Sequence, residues 1–96
     1  MDIRLSSKLT DTGDGALIHW CPGCKNLHQI ETQKRNARGA IWSFDGNAEA
    51  PTFSPSINIV GQCHYFIRGG QMEFCSDSRH ELAGRTVPLP DLPEWA

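Results

Sequence analysis

Cys21 and Cys24 stand either side of Pro22-Gly23 in the stretch HWCPGCKNLH, with His19 and His28 flanking the pair. In a chain of 96 residues this feature constrains the fold more than any other. A chain this short buries only about 60–65% of its unfolded surface, so its core is thin and a cross-link adds what packing cannot. A second cluster, Cys63, His64, Cys75 and His80, follows about forty residues on and offers partners for such a link.

Three chemistries compete for CPGC. A redox pair preceded by Trp20 resembles thioredoxin's motif, but that chemistry needs the first thiol at a helix N-terminus. The residues that follow, KNLHQIET, alternate as a strand does, and the order is Pro-Gly where the redox motif has Gly-Pro. A disulfide across two intervening residues closes a strained ring, and it requires an oxidising compartment. MDIRLSSKLTDTG lacks the apolar segment of a secretory signal, so a cytoplasmic location in a bacterial host is expected. The third chemistry is a zinc knuckle. Pro then Gly turns both thiolates toward one point, and zinc asks for four N or S donors in a tetrahedron. This reading is the one adopted.

The remainder reads as a small, mainly β, zinc-ribbon-like antiparallel domain spanning residues 1–96, with one short helical turn. ALIHW (16–20) and LHQIET (27–32) form a hairpin tipped by the cysteines; AIWSF (40–44) and SINIV (56–60) are further strands. Pro51 and Pro55 make EAPTFSPS an edge or ordered loop. HYFIR, Gly69-Gly70 and QMEFC make the strongest hairpin. Ser78 to Glu81 reads as a capping box opening a short helix that ends at Gly84. The tail TVPLPDLPEW is an extended strap anchored by Leu89, Leu92 and Trp95.

Geometry prunes the ligands. Four strand residues cover about 13 Å, too far for His28 to share an ion with Cys24 unless the chain doubles back. His28 and His19 are then expected as ordinary strand histidines, His28 half-exposed. Cys63 and His64 are neighbours, so on a strand they face opposite sides. A two-residue turn at Gly69-Gly70 sets Arg68 opposite Gln71 and His64 opposite Cys75, and it puts Tyr65, Ile67, Met72 and Phe74 on one face. That register favours Cys21, Cys24, Cys63 and His80 as the zinc ligands, with His64, Cys75 and His28 in reserve; a three-residue turn, Arg68-Gly69-Gly70, would slip the pairing by one, set Cys63 opposite Cys75 and point to four cysteines instead. Asp77 caps the short helix or orients a ligating histidine.

The pattern WCPGC, then PTFSPS, then CHYFIRGGQMEFCSDSRHELAGRTVPLP resembles a family of small phage- and prophage-encoded proteins of uncharacterised role. Many carry the label ammonia monooxygenase, a large membrane complex, whereas no apolar run here approaches the ~20 residues of a membrane span. The resemblance runs from about Leu5 to Pro90. It implies a phage origin and a metal site; the family's pattern includes the Cys21 and Cys24 pair, His28 and Cys63-His64, and the match at His80 favours that residue as a ligand. The family's Asp-Cys-x-His run reads Asp77-Ser78-Arg79-His80 here, so Ser78 replaces a cysteine; either that cysteine is dispensable or Cys75 takes over.

Function is read as a zinc-stabilised binding module with a host or phage protein as partner. One alternative is a zinc hydrolase using His64, Asp77 and His80, with His28 nearby. Another is a nucleic-acid binder using the Lys34–Arg38 loop with Trp42 and Phe44, although a net charge of −2 gives no broad basic footprint. Ser54 and Ser56 lack the G-x-S-x-G context of a nucleophile elbow, so PTFSPS is read as a loop packing Phe53 into the core.

Overall fold

The computed structural model describes residues 2–96. Ile3–Arg4 (β1), Thr10–Asp11 (β2), Ala16–Cys21 (β3) and Asn26–Glu31 (β4) form one antiparallel sheet in that order. Ser43–Phe44 (β5), Phe53–Ile59 (β6), Cys63–Arg68 (β7), Gln71–Phe74 (β8) and Thr86–Pro88 (β9) form a second. The mainly β, antiparallel architecture expected from the turn-punctuated pattern is the one adopted, and the described residues contain no helix. The segment expected as a short helix is a run of turns, in which Ser78, Ala83 and Arg85 N–H groups reach back three residues to Cys75, His80 and Leu82. Each three-residue bond stays isolated because the side chains of Asp77, Ser78 and His80 are committed to other partners, described below.

β3 and β4 pair from Ala16↔Glu31 to Cys21↔Asn26, which leaves the cysteine pair at the hairpin tip as the alternation predicts. Period-2 alternation turns Leu17, His19 and Cys21 inward together. β7 and β8 pair with Arg68 opposite Gln71 across Gly69-Gly70, whose φ angles of +55° and +79° suit the tight turn. Tyr65, Ile67, Met72 and Phe74 are all buried on the common face.

The Pro-rich stretch is less of a loop than expected. β6 begins at Phe53 and carries Pro55 within it. The pairing with β7 shifts register between Phe53 and Ile57, which absorbs the missing amide donor. The C-terminal strap contributes β9, and Leu89 and Leu92 are buried. Trp95 is not an anchor. It is 72% exposed, because the chain leaves the core after Leu92 and turns back at Pro93 to set Trp95 edge-on against Trp20.

The core lies between the sheets, with Leu9, Leu17 and Ile30 from the first meeting Phe53, Ile57, Tyr65 and Ile67 from the second. Both strand histidines are buried there, so the expectation of half-exposure for His28 fails. The reason is a hydrogen-bond chain. His19 Nδ1 lies 3.1 Å from the Trp20 carbonyl and carries the ring proton. Its Nε2 therefore accepts from the Tyr65 hydroxyl at 2.7 Å, and the Tyr65 oxygen accepts from His28 Nδ1 at 2.9 Å. Burial holds both rings neutral: His19 is depressed to about 3 and His28 to about 4, desolvation being the main cause in each.

Candidate functional site

β7 sends its side chains alternately to two sites. Cys63 points inward with Tyr65 and Ile67, while His64 points outward.

On the inner side, Cys21, Cys24, Cys63 and His80 bring one donor atom each to within 4.8 Å of one another. The first two come from the β3–β4 turn, Cys63 from the start of β7, and His80 from the turns after β8. Cys63 Sγ lies 3.1 Å from His80 Nε2, and the Cys24 N–H donates to Cys21 Sγ at 3.4 Å. Gly23 makes the closure possible, since a Cβ there would fall onto the His80 ring. All four cysteines are free thiols. Cys21 is pulled down to about 6, chiefly because the Cys63 thiol donates to it, with the Cys24 and Gly23 amides adding to the effect. Cys63 is pushed up by that same bond and by burial, and Cys24 by burial and the neighbouring Cys21 charge. Three thiols this close cannot all ionise unaided. A divalent cation relieves the conflict, and the cluster could hold one. His28, His64 and Cys75, the reserve ligands, lie outside this cluster.

On the outer side, Ser56 Oγ lies 3.0 Å from His64 Nε2, and His64 Nδ1 lies 3.2 and 3.3 Å from the two carboxylate oxygens of Asp77. A neutral ring with its proton on Nδ1 donates to Asp77 and leaves Nε2 to accept the Ser56 hydroxyl. Asp77 thus partners His64 where helix capping had been expected. Ser78 fixes the turn: its hydroxyl donates to the His64 carbonyl at 2.9 Å and accepts from the His64 N–H at 3.1 Å. A depression of about 260 Å³ opens beside His64, Asp77 and Asn58. The donor atoms of His64, Asp77 and Cys75 also lie within 4.8 Å of one another. Burial and the Asp77 and Glu73 charges push the Cys75 thiol up, so it stays protonated beside the triad.

This triad is what motif reasoning missed. Ser56 has no nucleophile elbow around it; its geometry arises from pairing, with Asn58 directly opposite His64 and Ser56 two residues along the same strand. The sequence carried one usable signal, alternation in SINIV against CHYFIR, but the β6–β7 register was needed to exploit it.

Fold and sites together define a small two-sheet antiparallel β-protein with a serine–histidine–aspartate triad on one side of β7 and a three-thiol, one-imidazole cluster on the other. The chain belongs to the family described as bacterial ubiquitination-like system serine protease (BubE), whose model matches residues 3–75. The match takes in Cys21, Cys24, Ser56, Cys63 and His64 and ends two residues before Asp77. It names a bacterial system where the motif resemblance implied phage-encoded proteins. No curated protein and no solved structure matches the chain.

Proposed function

We propose that the protein is a serine protease of a bacterial ubiquitination-like system, with Ser56 as nucleophile, His64 as general base and Asp77 as its orienting carboxylate. The observation that carries this reading is the unbroken chain from Ser56 Oγ to His64 to Asp77 at 3.0 and 3.2 Å; the family's description supports it. Ser56 Oγ attacks the scissile carbonyl carbon and its proton passes to His64 Nε2. Asp77 stabilises the imidazolium. The C–N bond then breaks and Nε2 returns its proton to the departing amine. Water cleaves the resulting ester by the same route and restores the Ser56 hydroxyl. Asn58, on the face of β6 that bears Ser56 and directly opposite His64, is in this reading the side-chain amide assigned to donate to the oxyanion.

In this reading zinc is structural, held by Cys21, Cys24, Cys63 and His80. Four protein donors close a tetrahedron and leave no position for water, which disfavours the zinc-hydrolase alternative. Held by these four residues, an ion would tie the β3–β4 turn to β7 and to the turns carrying Asp77, and so would hold the triad from behind. The binding-module reading gives way because a module needs no aligned triad.

A fluorophosphonate probe tests the assignment. Peptide mass spectrometry is expected to find the adduct on Ser56, absent in Ser56→Ala and retained in Ser54→Ala. An adduct confined to another residue, or none on folded protein, rejects it.

A further inference from the structure

The basic loop singled out in the sequence finds its place beside the nucleophile. A groove of about 420 Å³ runs along the side of β6 facing away from β7, lined by Arg35, Arg38, Ile41, Trp42, Pro55 and Ser56 among others. No acidic residue lines it. Among the described residues neither arginine has a carboxylate partner, whereas Lys34 next to them is paired with Asp14. The loop is built, not loose: Asn36 Oδ1 accepts from the Arg38 and Ala40 amides, and Arg35 Nη1 donates to the Gly39 carbonyl at 2.8 Å. The Trp42 indole donates to the Ser56 carbonyl at 3.1 Å and so fixes the groove wall against the nucleophile's own backbone.

The groove floor is also an open sheet edge. β5 pairs with β6 only at Ser43↔Ser54 and Phe44↔Phe53, and the Ser56 carbonyl is taken by the Trp42 indole, so residues 57–59 have no strand beside them on that side. An extended peptide can lie along such an edge by strand addition, its alternate side chains reaching the flanking surface. That surface is apolar near Ile41 and Trp42 and positive at Arg35 and Arg38. In a chain whose net charge is −2, this local field is the wrong sign for generic repulsion of acids and the right sign for their capture within a screening length of about 8 Å.

The two depressions divide the substrate. His64, which returns its proton to the departing amine, lines the depression on the Asp77 side. The groove is lined by Ser56 and not by His64. It therefore receives the part that stays ester-linked to Ser56.

Resting on the protease reading above, we propose that this groove is the acyl-side subsite, and that it selects an extended segment with acidic side chains a few residues before the scissile bond. Two exposed charge pairs together are expected to give about a tenfold preference.

The test uses p-nitrophenyl esters of three tetrapeptides that differ only in bearing glutamate, alanine or lysine at the two middle positions. Fluorophosphonate labelling of Ser56 in the same protein serves as the reference. The glutamyl ester is expected to acylate Ser56 about tenfold faster than the alanyl ester, the lysyl ester slower still. The glutamyl preference is expected to shrink at 0.5 M salt and to collapse to about one in Arg35→Ala/Arg38→Ala. Labelled Ser56 with equal rates for all three esters overturns the subsite and leaves the protease reading standing. A preference that survives the double substitution overturns the assignment to these arginines. Failure to label Ser56 removes both readings together.

Discussion

Ser78 has a task in the structure that needs a hydroxyl. It both donates to and accepts from the backbone of His64, so the turn bearing Asp77 is registered on the strand bearing the imidazole. On the protease reading Ser78 is a positioning residue, because its hydroxyl bonds only the backbone of His64. Ser78→Ala removes both bonds at once and lets Asp77 drift from His64 Nδ1. The expected result is a kcat lowered on the order of tenfold to a hundredfold with KM unchanged, because the substrate meets the same surface while the general base is misaligned. Ser78→Thr keeps the hydroxyl and is expected to restore most of the rate. A KM that rises in step, or a threonine variant no better than alanine, would assign Ser78 to stability alone. The paired histidines sit at the same scale. Tyr65→Phe leaves His19 Nε2 and His28 Nδ1 without partners in the core, and a loss of roughly 2–3 kcal/mol is expected in urea unfolding.

Among the elements, the β3–β4 turn and β7 carry the most chemistry, and they were read from sequence with unequal success. CPGC announced itself because proline and glycine between two thiols allow few other uses. The glycine pair fixed the β7–β8 register, and that register selected Cys63 over His64 for the inner cluster. The triad stayed hidden because β6 starts inside a Pro-rich stretch, and its register with β7 is shifted by a bulge that no local pattern encodes. The burial of His28 was missed for a related reason. Its partner is the hydroxyl of Tyr65, a contact between sheets that strand periodicity does not report. Gly23 shows how far one element depends on another. A methyl group there meets the His80 ring, which is held from a different part of the chain. Gly23→Ala is expected to displace the imidazole and leave three thiols, so zinc affinity falls at least tenfold in a chromophoric chelator competition while Cys21 and Cys24 still bind. Unchanged affinity would mean that His80 is not a ligand.

At the scale of the whole molecule the question is whether an ion held by the cluster would do chemistry or only hold the pieces. The β3–β4 turn belongs to the first sheet, Cys63 and His80 to the second, so the cluster joins the sheets at one end while the Tyr65 network joins them nearby. Protonation weakens both joints in the same direction. Between about 6.5 and 4 the unfolded chain holds protons on His19 and His28 that the folded chain refuses, so stability is full above that range and falls as pH drops through it. Chelation at pH 7.5 isolates the ion. Losing a structural zinc from such a cluster would cost on the order of 10 kcal/mol, comparable to the whole stability of a domain this size, so if the proposed zinc is held there the melting transition and the acylation of Ser56 are expected to disappear together. Cadmium separates holding from chemistry. It accepts the same thiolate and imidazole donors, and a closed site asks nothing of the ion except position. Cadmium-loaded protein is therefore expected to recover both the fold, by circular dichroism, and the rate at which Ser56 is acylated. Recovery of the fold without the rate would place the ion in the reaction; a fold and a rate that both survive chelation would leave the cluster as three thiols and an imidazole with no metal to hold.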